Sequence, residues 1–415
     1  MRTKAEIGNS EWFGGLPKGW NMVPLSALFR FSKGLSITKA DLVKMGKPVI
    51  SYGQIHSKQN IGVELRESLL RRVPNDLAGE TSPSRVLSNG FVFADTSEDL
   101  EGCGNNVRND SSHALYGGYH TVVLNPRRDF NSKYLAYLFT TDAWRLQIRR
   151  DLVDVKLFSV NQTSLNETYV VIPPTDVQKS IVSYLDKRCA AIDEDVAKRR
   201  EVIEKLKEYK RSLIAHAVTK GLDPDAEMRD SGVEWIGEVP ADWEIVPVKA
   251  DVAIGHGSDP VLSGDIPVWG SGNEPFKTCG EYKEGPVILL GRKGTLDCPQ
   301  LVVGRYWNVD TAFDAKIKSG NLDLKFFYYA ATCIDIKPYA TNTAKPSMTQ
   351  FDWANSKIAR PPLSEQRRIV SYLDERCADI DEAISRQEQL IEKLGEYRRS
   401  IIHHAVAGKI DCSEA

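Results

Sequence analysis

The sequence predicts an α+β chain: two globular mixed α/β blocks separated by two long helices that pair as an antiparallel coiled coil with pseudo-twofold symmetry. Three observations predict it. The stretch from Pro173, PPTDVQKSIVSYLDKRCAAIDEDVAKRREVIEKLKEYKRSLIAHAV, returns from Pro361 as PPLSEQRRIVSYLDERCADIDEAISRQEQLIEKLGEYRRSIIHHAV, with 27 of 46 positions identical at an offset of 188. A shorter echo, EWFGGLPKGWNMVPL from Glu11 and EWIGEVPADWEIVPV from Glu234, matches at 7 of 15 positions. Between echo and helix the two halves differ in length and sequence. The boundaries follow: block one over 1–172, the first helix over 173–220, block two over 221–360, the second helix and tail over 361–415.

Each block opens on a Trp-to-Pro strand, Trp20–Pro24 and Trp243–Pro247. Short β-like runs punctuated by Gly, Pro, Asn and Asp follow: PVISYGQIH, GFVFADTS and YHTVVLNP in the first block, IPVWGSGN, GPVILLGRKG and LVVGRYW in the second. That pattern reads as compact α/β or mostly β structure with exposed loops. Helical segments close the blocks, over 132–150 and 324–332. Polar stretches come next, in which Ser159 and Gln162 align with Ser347 and Gln350.

Pro-Pro precedes each long helix, as proline preferences allow. Thr175 and Gln178 have capping-box spacing, and Ser364 is placed to cap the second helix. Ile181, Leu185, Cys189, Ile192, Val196, Ile203, Leu206 and Leu213 recur at helical spacing. Ile369, Leu373, Cys377, Ile380, Ile384, Ile391, Leu394 and Ile401 match them one for one. This is close to a heptad seam. Arg199 and Lys210 interrupt it in one copy, Gln387 and Arg398 in the other, as polar residues that set register do. At 1.5 Å per residue each helix spans roughly 65 Å, the length of roughly 19 base pairs. The nearly unchanged EKLKEYKRS and EKLGEYRRS segments suggest two equivalent faces for two copies of one partner.

At 415 residues the chain is long enough for two or three domains, each with its own core. Seven cysteines form no CxxC pair, which speaks against a zinc knuckle or redox motif and fits a reducing cytosol. Cys189 and Cys377 read as small core residues. No apolar run is long enough for a membrane span. The net charge of −2 divides unevenly: +4 over 1–172, +3 over 173–220, −6 over 221–360 and −3 over 361–415. A DNA-binding second block would therefore need a local basic patch, or a basic partner.

Much chemistry is missing. There is no phosphate-binding GxxxxGK[ST] loop and no Asn-Pro-Pro-aromatic segment of an adenine methyltransferase. GRKG at 291–294 reads as a tight turn, as do GHGSD at 255–259 and FGG at 13–15. His216, His403 and His404 lie late on the helices, where they complement the helix ends. No nucleophile–base–acid set emerges.

The doubled arrangement resembles the specificity subunits of type I restriction–modification systems. It includes the Trp-x-x-Val-Pro opening, the S-x-x-Q segment, the PPxxxQ-x-x-I-V-x-x-L-D helix start, and the I-E-K-L and E-Y-[KR]-R-S endings. The resemblance covers essentially the whole chain. It implies a non-catalytic cytoplasmic subunit whose two variable blocks are target recognition domains. Each would read one half of a split double-stranded DNA sequence. The helices would set the gap and dock two methyltransferase subunits, and motor-nuclease subunits would join them. S-adenosylmethionine, ATP and Mg would then sit on those partners, with no cofactor or metal on this chain. A fused methyltransferase–recognition enzyme and a coiled-coil scaffold are the competing readings. Side-chain chemistry alone nominates the DNA contacts: Tyr52, Gln54, His56, Tyr119 and Lys156 in the first block, and Asn273, Arg292, Lys293, Asn342 and Lys345 in the second.

Overall fold

The computed structural model describes residues 13, 15–110, 114–150, 157–340 and 346–413. The chain divides into two compact units: Met1–Ala197 with Leu390–Ala415, and Lys198–Gln389. Both long helices, Thr175–Lys220 and Leu363–Val406, contribute a segment to each unit.

In unit 1 the opening strand Asn21–Pro24 pairs antiparallel with Tyr169–Ile172, the strand that leads into the first long helix. The short echo and the helix repeat are thus joined by one ladder. Behind it lies a four-stranded antiparallel sheet in the order Phe29–Lys33, Thr121–Pro126, Phe91–Ala94, Asn106–Arg108. A second sheet orders Arg71–Val73, Lys47–Ile50, Leu115–Gly117 and Arg85–Val86, with Lys47–Ile50 and Leu115–Gly117 parallel. Unit 2 repeats this plan. Glu244–Pro247 pairs with Lys357–Arg360. One sheet orders Val252–His256, Ala312–Ile317, Val287–Gly291 and Gln300–Val302; the other orders Lys277–Cys279, Ile266–Trp269, Arg305–Asn308 and Lys283–Glu284. A hairpin, Met228–Asp230 with Glu238–Pro240, is added before the opening strand.

The start of each long helix is buried against its own globular block. Ile181, Leu185, Cys189 and Ile192 share a core cluster with Phe91, Phe93, Tyr134, Leu138 and Trp144, and with Ile401, Ile402 and Ala405 of the second helix's end. In unit 2, Ile369, Leu373 and Cys377 pack with Ile288, Phe313, Phe326 and Trp353, and with Ile214, Ala217 and Val218 of the first helix's end. The stripe is therefore shared: its beginning covers a domain core and also meets the other helix. Val196, Leu206, Ile384, Ile391 and Leu394 are half-buried, whereas Ile203 and Ile380 are buried. Polar contacts repeat too, onto aspartates 188 positions apart in the two helices. Tyr137 Oη donates to Asp186 at 2.7 Å and Lys133 Nζ lies 2.8 Å from it; Tyr329 Oη donates to Asp374 at 2.8 Å and Lys325 Nζ lies 2.6 Å from it.

Three local expectations are corrected. Residues 132–150 form two helices, Ser132–Phe139 and Asp142–Arg149, because the Thr141 hydroxyl caps a new N-terminus at the Trp144 amide. Gln178 makes no capping box with Thr175; its amide donates to the Pro173 carbonyl at 2.8 Å. Ser364 lies inside the second helix, which begins at Leu363. Gln366 anchors that start by donating to the carbonyls of Pro361 and Asn321, each at 2.8 Å, while accepting from the Asp323 amide at 2.7 Å. Gly221 and Gly408, at φ +75° and +67°, end the two helices in the left-handed conformation that favours glycine.

Candidate nucleic-acid interface

In each unit, loops from both sheets meet at one corner, and backbone hydrogen bonds fix them there. In unit 1, Gly118 N–H donates to Ile50 O at 2.7 Å, Asp95 N–H to His120 O at 3.2 Å, and Val160 N–H to Asp95 O at 2.7 Å. In unit 2, Val309 N–H donates to Trp269 O at 3.0 Å, Arg292 N–H to Thr311 O at 2.8 Å, and Met348 N–H to Arg292 O at 3.0 Å. Strand register agrees: Ser159 pairs with Thr96 where Ser347 bridges Lys293. The corners therefore correspond position by position. Tyr52 corresponds to Ser271, Gln54 to Asn273, Asp95 to Arg292, Thr96 to Lys293, Tyr119 to Asp310 and His120 to Thr311.

The side chains on this common frame differ. Unit 1 carries rings. Tyr52 lies edge-on to Tyr119, His120 and His56, with centroids 5.7, 5.4 and 6.3 Å away. His56 Nε2 lies 2.8 Å from the Thr96 carbonyl and its Nδ1 3.2 Å from the Asn105 side-chain nitrogen. Gln54 is partly committed, since its carbonyl accepts from Ser51 N–H at 3.1 Å in a capping box. Asp95 accepts from the Thr96 hydroxyl at 2.6 Å and lies 3.4 Å from His120 Nδ1. His120 has φ +54°, uncommon for a residue with a side chain.

A cavity of about 1090 Å³ opens beside these residues, lined by Tyr52, His56, Thr96, His120, Arg145 and Arg149 among others. Arg145 spans its wall by donating to the carbonyls of Phe139 and Glu101. Burial, with Arg149 adjacent, brings its guanidinium pKa down to about 10, so it stays charged at neutral pH.

Unit 2 carries charges at the same corner. Arg292 Nη1 donates to the Asp310 carbonyl at 3.0 Å and lies 3.4 Å from its carboxylate, which Lys293 Nζ approaches to 3.5 Å. Ser271 donates to Lys293 O at 2.6 Å. Asn273 is exposed. The turn at 291–294 is thus a basic tip steadied by one carboxylate.

Tyr52, Gln54, His56 and Tyr119 are accordingly gathered at one corner, and Asn273, Arg292 and Lys293 at its counterpart. Lys156, Asn342 and Lys345 lie outside the described residues. Asp95, Thr96 and His120 in unit 1, and Ser271, Asp310 and Thr311 in unit 2, were missed by sequence reasoning. Asp95 and Thr96 follow a strand, Phe91–Ala94, that reads as pure core. Only strand register reveals the correspondence. Among the described residues, no cluster of His, Cys, Asp or Glu is placed to hold a metal, and no helix is long and apolar enough to cross a membrane.

The profile described as the type I restriction modification DNA specificity domain matches residues 17–205. The chain is 21% identical to a Methanocaldococcus jannaschii protein named as the MjaX type I restriction enzyme specificity subunit, over 98% of this chain and 96% of the relative. It is 22% identical to the EcoKI specificity subunit of Escherichia coli K12, over 96% and 90% of the two chains. A solved chain from a study of type I restriction–modification complex assembly and conformational transition superimposes with a TM-score of 0.69 at 18% identity, covering 95% of this chain and 99% of that one.

Proposed function

We propose that this chain is a specificity subunit of a type I restriction–modification system, and that its two units each read one half of a split double-stranded DNA target, with the corner loops as the reading surfaces. The observation that carries the proposal is the pair of equivalent corners: one backbone frame, held by matching hydrogen bonds, presents rings and a carboxylate in unit 1 and arginine and lysine in unit 2. Direct readout needs such a rigid scaffold with variable donors and acceptors.

In this reading the chain performs no chemistry. The paired helices set the gap between half-sites and dock two methyltransferase subunits, which supply S-adenosylmethionine, and motor-nuclease subunits bring ATP and Mg. The exposed Tyr209 and Tyr397, which are repeat counterparts, suit two copies of one partner. The acidic second block then draws part of its phosphate attraction from those partners. The complex acts in the cytoplasm.

The test is a map of methylated bases. The chain is expressed with its methyltransferase in a host lacking adenine methylation, and modified bases are read by single-molecule sequencing. A split motif, methylated once on each strand and lost without this chain, is the expected result. No motif from an assembled complex would leave a scaffold as the better reading. Methyl transfer by the purified chain alone would revive a fused enzyme.

A further inference from the structure

Asp95 and Arg292 occupy the same position of the two units and carry opposite charge. Each has its backbone amide on the residue just before the central strand of its first sheet, His120 or Thr311, and its carbonyl on the incoming segment at Val160 or Met348. Each side chain is 34% exposed, so neither is sealed in the core nor free to wander. Acid and base have also exchanged segments. In unit 1 the carboxylate is on Asp95 and the potential cation, His120, is on the neighbouring loop; in unit 2 the cation is on Arg292 and the carboxylate, Asp310, is on that loop. Packing alone does not call for such a reversal on a conserved hydrogen-bond frame.

We infer that Asp95 and Arg292 are specificity-determining residues that make the two half-sites chemically different; the inference rests on the proposed reading of DNA by the corner loops. A carboxylate only accepts hydrogen bonds, so Asp95 suits an exposed amino group, that of cytosine N4 in the major groove. A guanidinium only donates, and its fork matches guanine O6 and N7. The unit 1 half-site then contains a base pair read through an amino donor, and the unit 2 half-site a guanine read through its acceptors. His120 and Asp310 are positioning residues that hold those two side chains.

The test uses the assembled methyltransferase complex with Asp95→Asn or Arg292→Gln, and reads the methylated motif of each. Arg292→Gln is expected to lower preference for guanine at one position by roughly 10- to 100-fold, the range for one bidentate contact, and to move it toward adenine. The other half-site stays unchanged. Asp95→Asn is expected to relax one position of the opposite half only. The half that does not change is the internal control for folding and assembly. A motif identical to the wild type in both variants would overturn the inference, as would both variants altering the same half. Absence of any split motif with the wild-type chain would instead defeat the underlying reading of DNA. A variant that fails to assemble is replaced by His120→Ala or Asp310→Asn, whose preference must weaken at the same position as that of the side chain it supports; an unchanged motif there overturns the inference equally.

Discussion

Arg199 Nη1 donates to Gln387 Oε1 at 3.0 Å, and these two residues are counterparts, 188 positions apart, in the repeated helix. Between this contact and that of Lys210 with Asp381 the residue number rises along one helix as it falls along the other, so these segments run antiparallel. Repeated contacts agree: Asp193 pairs with Arg398, and Lys210 pairs with Asp381 at 2.7 Å. Both polar interruptions of the seam are therefore paired across it. Replacing Arg199 and Gln387 together by leucine exchanges a partly buried polar pair for apolar contact. The expected outcome is a rise in thermal midpoint, at about 2–4 °C per kcal/mol, because polar seam residues set register at a cost in stability. A lower midpoint would mean that the pair contributes more than leucine packing does.

The two helix starts differ in how much rests on one glutamine. Gln366 serves two carbonyls and one amide, whereas Gln178 is seen to serve the Pro173 carbonyl. Gln366→Ala leaves buried backbone groups unsatisfied, at about 1–3 kcal/mol each. It should lower the denaturant midpoint more than Gln178→Ala does. Equal shifts would assign the effect to lost packing.

Burial pushes the phenols of Tyr134, Tyr137, Tyr306 and Tyr329 well above their usual range; for Tyr137, Tyr306 and Tyr329 a neighbouring carboxylate adds to the effect. The folded protein keeps these protons where the unfolded chain loses them, above about pH 10. The unfolded state thus binds fewer protons there, and stability falls as pH rises. Below that pH these groups contribute no slope. Tyrosinate absorbance should show them ionising together with the loss of folded structure. Their ionisation in the still-folded protein would contradict the burial argument.

Arg292→Ala should weaken DNA binding by the assembled complex by about tenfold or more, with assembly unchanged. The affinity is read by gel shift at fixed salt, since phosphate contacts make it salt-dependent. Unchanged affinity would remove Arg292 from the interface.

The helices and the strand openings were legible because they recur, and recurrence turns weak periodicity into a strong signal. The corners were legible only in part. Tyr52, Gln54, Asn273 and Arg292 sit in turn-like, polar segments that stand out. Asp95 does not, because it follows Phe91–Ala94, four buried residues, and its counterpart lies at a different offset from that of the helices. The block insertions that shift this offset hide the equivalence until strand pairing restores it. The break at Thr140 and Thr141 was equally hidden: both flanks are helical by pattern, and the first helix stops where two hydroxyls donate to the carbonyls of Tyr137 and Leu138.

In the proposed role the helices are the ruler. Inserting one heptad between Ile192 and Leu206, and another between their counterparts Ile380 and Leu394, keeps the apolar stripe in phase and preserves both domain cores. Each heptad adds about 10 Å of helix, the length of about three base pairs. The methylated motif should keep both half-sites and gain about three base pairs of gap. An insertion in one helix alone puts Arg199 and Gln387 out of register and should cost assembly. A matched pair of insertions that assembles with the original gap would show that this segment does not measure the target.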